Sequence, residues 1–278
     1  MVAPFLHRAD LMLALICGKG EFPKIIAQNC TIMPLVASLA QFPPDELIPD
    51  ICFRLETLGS FLELLKQHRI TQVCFAGAIK RPSIDPTLID SATRPFVARI
   101  NAALSQGDDG ALKIVIEIFE HAGFQVVGFG QVMPELLPPL GILSHRAPNR
   151  QDQDDAARAA AVIVGMSPLD IGQACAVAGS HVLAVEAYGG TEWMLQSLIA
   201  RSGEAWPSGG ILFKAPKTGQ ERRIDLPAIG PATCRQVKKA GLDGIVIASG
   251  GVVVLDLATV ISEANRLELF FWVRENLL

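Results

Sequence analysis

From its first hydrophobic block onward, the chain is written in strand and helix periods. LMLALIC, residues 11–17, is a continuous apolar run that stops at Gly18, Lys19 and Gly20. Such a run predicts a strand buried on both faces, as in a parallel sheet. MPLVASL predicts a second strand. In GSFLELLKQHRI, Phe61, Leu64 and Leu65 fall at helical spacing, and TQVCFAG then reads as a strand. Leu112, Val115, Ile116 and Phe119 recur at i, i+3, i+4 and i+7, so this stretch predicts an amphipathic helix that Gly123 terminates. FQVVGFG follows as a further strand. Strand and helix thus alternate from Leu11 to about Val132, the pattern of an α/β domain with a parallel sheet, bounded at 11–133.

The periodicity then lapses. PELLPPLGILSHRAPNRQ holds four prolines and no regular spacing, which predicts a linker over 134–150. Beyond it, DDAARAAAVIVG predicts a helix, HVLAVEAYGG and GGILFKAP strands that lead into loops, and TEWMLQSLIA a helix capped by Thr191. CRQVKKAG reads as a helix and GIVIASGGVVVLD as two strands around a Ser-Gly-Gly turn. A helix, LATVISEANRLE, and a strand, LFFWV, complete a second α/β domain with a mixed sheet over 151–278. Neither an internal repeat nor a low-complexity tract interrupts the pattern.

Composition narrows what such a chain does. A formal charge of −4 and a pI near 5.8 argue against nucleic acid, whose phosphates call for a basic face. Half of the residues are hydrophobic and the mean hydropathy is +0.36. No apolar run approaches the roughly 18 residues that span a bilayer, since Lys113 and Glu117 interrupt ALKIVIEIF. The expectation is a cytoplasmic, water-soluble protein that handles an apolar ligand. LMLALIC follows Asp10 and precedes Gly-Lys-Gly, where a signal peptide would carry small cleavage-site residues, so a core strand is the better reading. The six cysteines, Cys17, Cys30, Cys52, Cys74, Cys175 and Cys234, are scattered and form no C-x-x-C, a pattern that suits reduced thiols.

Several stretches could carry chemistry. Gly18 and Gly20 in GKGEFP follow the first strand and could bring backbone toward a phosphate, but the third glycine of a dinucleotide fingerprint is missing and a tight strand-to-helix turn is an equal reading. Gly77 and Arg81 in AGAIKRP lie after another strand, where open α/β sheets bind ligands, although a solvated loop is as good an account. Asp108 and Asp109 precede a helix, where capping is the default and ligand contact the alternative. Gln173 belongs to LDIGQ. Glu186 in VEAYGGTEW is an acid within an apolar strand, costly to bury without a partner or a metal. Thr191 opens a helix on the same loop. In KAPKTGQERRIDLPAIGP, Lys214 and Lys217 suit a diphosphate, Arg223 offers a planar fork of donors, and Asp225 could ligate Mg²⁺. A surface ion pair is the ordinary alternative. None of the five histidines has a serine, cysteine or second histidine at motif spacing. Carboxylates, lysines and glycine turns remain, the groups used in metal-assisted phosphoryl chemistry.

The ordered set ALICGKGEFP, CFAGAIKRP, GDDGALKIVIEIFEHAGF, LDIGQACAV, VLAVEAYGGTEWML and FKAPKTGQERRIDLPAIGPAT resembles the LpxI-type UDP-2,3-diacylglucosamine pyrophosphatases of lipid A biosynthesis over nearly the whole chain from Leu13. This resemblance implies a Rossmann-like N-terminal domain, a C-terminal domain of less common fold, and a substrate cleft between them. It further implies Mg²⁺-dependent hydrolysis of the diphosphate to UMP and 2,3-diacylglucosamine 1-phosphate. The family's essential aspartate lies in an R-x-D-L-P motif, here Arg223 to Pro227, which ranks Asp225 first as catalytic or metal-binding carboxylate. Lys214 and Glu192 are further catalytic candidates, and Glu186 or Glu192 is the candidate second metal ligand beside Asp225. Gly189 stands where the family commonly has an acid, Glu192 is one methylene longer than the usual aspartate, and Thr218 and Glu221 also depart. These departures bear on Glu192 and Glu221 and leave Asp225 and Lys214 untouched.

An acylated substrate implies peripheral contact with the cytoplasmic face of the inner membrane. A homodimer is the base-rate expectation for assembly. Two other classes stay open: a nucleotide-sugar oxidoreductase or epimerase, and a non-catalytic sensor of acylated sugars.

Overall fold

The computed structural model describes residues 12–30, 33–106, 108–200 and 206–275, the side chains of Asp108, Asp109 and Phe129 apart. It divides into two compact units, Met1–Met133 and Pro134–Leu278. Both are α/β, one with a parallel and one with a mixed sheet, as the periodicity predicted.

In chain order the first unit contains β1 (Met12–Cys17), α1 (Phe22–Asn29), β2 (Leu35–Leu39), β3 (Ile51–Phe53), α2 (Leu58–Gln67), β4 (Ile70–Ala76), α3 (Val97–Ser105), α4 (Asp108–His121), β5 (Gln125–Val126) and α5 (Phe129–Val132). The sheet order is β3-β2-β1-β4-β5 with every pair parallel, a Rossmann-like arrangement. Ala14, Leu15, Ile16 and Cys17 are all buried because both faces of β1 are covered. On α4, Ile116 and Phe119 are buried, and Gly123 closes the segment at φ +96°. FQVVGFG yields only a two-residue strand before the chain turns into α5. Burial pushes the Cys17 and Cys74 thiols up to about 12, which keeps them protonated and inert.

The second unit contains β6 (Gly141–Ile142), α6 (Arg150–Met166), β7 (Ala174–Ala178), β8 (His181–Val185), α7 (Gly190–Ile199), β9 (Ile211–Lys214), β10 (Ala228–Ile229), α8 (Pro231–Lys239), β11 (Gly244–Ala248), β12 (Val253–Val254), α9 (Leu257–Arg266) and β13 (Phe270–Arg274). Six strands form a mixed sheet in the order β6-β13-β11-β9-β7-β8. One face packs on α6 through Ala156, Ala159 and Ile163; the other packs on α7, α8 and α9 through Leu195, Val237 and Val260. The proline-rich stretch expected as a linker belongs to this unit, since β6 pairs with β13 and His145 N–H donates to Asn265 Oδ1 at 2.7 Å. The expected Ser-Gly-Gly hairpin does not form, because β12 pairs in parallel with β10 in a separate two-stranded sheet.

Glu56 is a buried acid of the first unit. Arg54 donates to its two oxygens at 3.2 and 3.1 Å, and Asp85 N–H donates at 2.8 Å. Burial alone would raise its pKa, but these donors outweigh it and hold the carboxyl below its ordinary value. A depressed carboxylate stabilises the fold above the unfolded-state pKa and loses that contribution as pH falls through the folded one. Glu56→Gln therefore lowers stability near neutral pH by about 1–3 kcal/mol. The gap to wild type narrows below about pH 4, as denaturant unfolding at several pH values would measure.

Candidate active site

Side-chain alternation along β9 places the first part of the site. Ile211 and Phe213 face α6, so Leu212 and Lys214 face the three-helix side. Lys214 is the last residue of β9, and it is paired with Ala174 at the start of the antiparallel β7. Val185, the last residue of β8, is paired with Cys175. One end of the sheet thus gathers Gln173, Glu186 and Lys214, and α7 begins there at Gly190. The chains approach so closely that a Cβ on Gly172 would lie 2.2 Å from the Glu186 carbonyl oxygen.

Lys214 is 8% exposed. Its Nζ donates to Thr191 Oγ1 at 2.7 Å, and that hydroxyl donates to Glu186 Oε1 at 2.8 Å. Glu186 Oε2 accepts the Gln173 N–H at 2.9 Å. Both oxygens of Glu186 are therefore held within the protein, which resolves the cost of an acid beside an apolar strand. Burial lowers the Lys214 pKa, opposed by the charges of Glu186 and then Asp225. Thr191 was expected to cap its helix. It lies inside the first turn, with Gly189 at the cap position, and its side chain joins the lysine to the glutamate.

Asp225 sits in the loop after β9. Gln220 Nε2 donates to its Oδ2 at 2.5 Å, and Gln173 Nε2 reaches the same oxygen at 3.5 Å. Oδ1 takes no hydrogen bond among the described residues. The neighbouring charges point elsewhere: Lys217 pairs with Asp170, and Arg223 donates to Glu221 at 2.8 and 2.9 Å. Thr218 N–H donates to Ser167 Oγ at 2.9 Å, tying this loop to the end of α6. Gln220 and Asp170 were not among the candidates. A glutamine between Gly219 and Glu221 carries no signal in one sequence, and Asp170 stands out only through its left-handed φ of 52°.

The remaining candidates have other partners within their own units. Glu192 is exposed and accepts from Gln236 of α8 at 3.0 Å. In the first unit, the turns holding Gly18 and Gly77 pair with each other. Lys19 N–H donates to Ala78 O at 2.8 Å and Ala78 N–H returns a bond to Lys19 O at 2.9 Å. A Cβ on Gly18 would lie 2.4 Å from Ala78 O, and one on Gly77 2.7 Å from Lys19 O. The Gly18 N–H donates to Ala76 O and the Gly20 N–H to Asp45 Oδ2, each at 2.8 Å, so these amides are committed inside the unit. Arg81 Nη2 donates to the Gln106 carbonyl at 2.6 Å. Asp108 and Asp109 open α4, and their side chains lie outside the described ones.

The comparisons with known proteins agree with one another. Residues 12–136 match the LpxI N-terminal domain and residues 139–272 the LpxI C-terminal domain. The chain belongs to the LpxI family. It is 35% identical over 267 residues to the UDP-2,3-diacylglucosamine pyrophosphatase LpxI of Caulobacter vibrioides, covering 93% of this chain and 95% of that one. The family resemblance drawn from the ordered motifs is thereby borne out.

Thr191→Val keeps the shape of the side chain and removes both of its hydrogen bonds. It lowers the stability of the second unit by about 1–3 kcal/mol. Thr191→Ser retains most of it, as urea unfolding of the two variants beside wild type would measure.

Proposed function

We propose that this protein hydrolyses the diphosphate of UDP-2,3-diacylglucosamine to UMP and 2,3-diacylglucosamine 1-phosphate, a step of lipid A biosynthesis, with Asp225 as the carboxylate at the reacting centre. The observation that carries the reading is the state of Asp225 within its Arg-Ile-Asp-Leu-Pro motif. It is a carboxylate held on one oxygen by neutral amides, its other oxygen unengaged among the described residues, near a buried ammonium. The activity for which the Caulobacter relative is named supports the choice of substrate.

The residues present suit Mg²⁺. No group of three or more His, Cys, Asp or Glu clusters among the described residues, and both oxygens of Glu186 are engaged. Among the described residues of this network, Asp225 is then the carboxylate with an oxygen left for a metal. Mg²⁺ accepts such a site, since it binds through one or two carboxylates with water and substrate phosphates completing its oxygen shell. Bound there, it would neutralise the diphosphate and acidify a water for attack. Lys214 would add positive charge for the developing oxyanion from a site already desolvated, where such charge acts most strongly. Thr191 and Glu186 would hold that ammonium in place, and Gln173 would join the two halves of the network. Lys217 lies on the same loop, where Asp170 holds its ammonium.

Exposed apolar side chains flank this network. Leu169, Ile171, Tyr188 and Trp193 are 69%, 39%, 107% and 63% exposed. They are the surface we assign to the acyl chains and to peripheral contact with the membrane that carries them, since aromatic and aliphatic groups of this kind favour a lipid interface. No helix among the described residues is long and apolar enough to cross a membrane.

Asp225→Ala abolishes UMP release from UDP-2,3-diacylglucosamine while leaving substrate binding largely intact, and EDTA abolishes turnover of the wild type until Mg²⁺ is restored. Retained turnover in Asp225→Ala would sink the assignment; turnover undiminished in EDTA would remove the metal from it.

A further inference from the structure

We infer that Gln220 is a positioning residue for the reaction, holding Asp225 through a neutral donor so that one carboxylate oxygen faces the substrate. This rests on the reading of Asp225 given above and extends it to a residue outside the R-x-D-L-P motif.

Gln220 is 8% exposed. Its amide has one orientation compatible with its neighbours. The Lys217 backbone N–H donates to Gln220 Oε1 at 2.8 Å, and a backbone N–H can only donate, so the amide oxygen must face it. The NH₂ group is thereby turned to Asp225 Oδ2. The loop closes on itself as well, since Gln220 N–H donates to Lys217 O at 3.1 Å and Asp225 N–H to Glu221 O at 3.1 Å. Its outer end is tied to the segment after α6 through Lys217 with Asp170 and Thr218 with Ser167. Gln220 thus links the anchored part of the loop to the Asp225 carboxylate.

The chemistry of the donor matters. An arginine or lysine in this place would hold Asp225 equally well but would cancel much of its charge and compete with a cation for it. An amide donates without a formal charge. The same oxygen, Oδ2, also receives Gln173, so both donors lie on one side of the carboxylate and Oδ1 is left to the ligand. Side chains that fix the orientation of a ligating or reacting group in this way commonly affect turnover more than binding.

The test uses Gln220→Met, which keeps length and removes both polar atoms, and Gln220→Glu, which still accepts from Lys217 but sets a second carboxylate against Asp225. Steady-state hydrolysis of UDP-2,3-diacylglucosamine and calorimetric binding of UMP are measured on both variants and on wild type, with thermal unfolding as the check on folding. The expected result for Gln220→Met is a fall in kcat of about 30-fold with KM and UMP affinity within about threefold of wild type, and a larger fall in kcat for Gln220→Glu. Should Gln220→Glu fail to fold, Gln220→Met decides alone. A kcat within about threefold of wild type in Gln220→Met, or a loss shared equally by KM and UMP binding, overturns the inference. An inactive wild type overturns the proposed function and the inference with it, whereas an active wild type beside an active Gln220→Met removes the inference alone.

Discussion

An ammonium group that ends a sheet strand at 8% exposure sets the terms for the C-terminal site. Burial lowers the Lys214 pKa, and desolvating a charge costs several kcal/mol unless hydrogen bonds and opposite charge offset it. The offset comes from Thr191, whose single hydroxyl accepts from the lysine and donates to Glu186. For that chain to close, α7 must begin directly after the β8 loop so that Thr191 falls in its first turn. Gly172 must also lack a side chain, because the Glu186 backbone occupies that space. Local sequence choices separated by forty residues are thus coupled through one charge.

Asp225 follows the opposite logic. Its neighbours in sequence include Arg223 and Lys217, and a direct ion pair with either would have satisfied the carboxylate and removed its attraction for a cation. The structure diverts both, Arg223 to Glu221 and Lys217 to Asp170, and gives Asp225 amide donors instead. The basic loop therefore does not neutralise its own aspartate. Charge separation within a short segment is maintained by acids placed to absorb the bases, and Glu221 and Asp170 have that part.

Much of the fold was legible because the signals were long or redundant. Runs such as LMLALIC and GIVIA, apolar at every position, announce strands covered on both faces, and α4, α6 and α9 carry clear helical periods. Short elements were less readable. The two-residue strands β5, β6, β10 and β12 have too few positions to show alternation, and whether β12 meets β11 or β10 depends on where the loop after Gly251 is packed. At the site, Asp225, Lys214, Glu186, Gln173 and Thr191 came from the sequence as separate candidates, and the register of β7, β8 and β9 brings the last four together. Glu192 points to α8 because one step along a helix turns a side chain by about 100°, away from the face Thr191 presents. Gln220 could not be read at all, since a positioning amide is defined by its partners.

The glycine turns of the first unit show why a strand-end glycine reads ambiguously. A phosphate loop and a backbone crossing both require a residue without Cβ, and only the destination of the amides separates them. Here the Gly18 and Lys19 N–H groups go to Ala76 and Ala78, and the Gly20 N–H goes to Asp45. Backbone from the ends of β1 and β4 fills the point where a Rossmann-like sheet ordinarily receives a dinucleotide pyrophosphate. That arrangement weighs against the nucleotide oxidoreductase or epimerase that the opening strand kept open. The bases proposed for the diphosphate, Lys214, Lys217 and Arg223, belong instead to the second unit, at the end of β9 and in the loop that follows it.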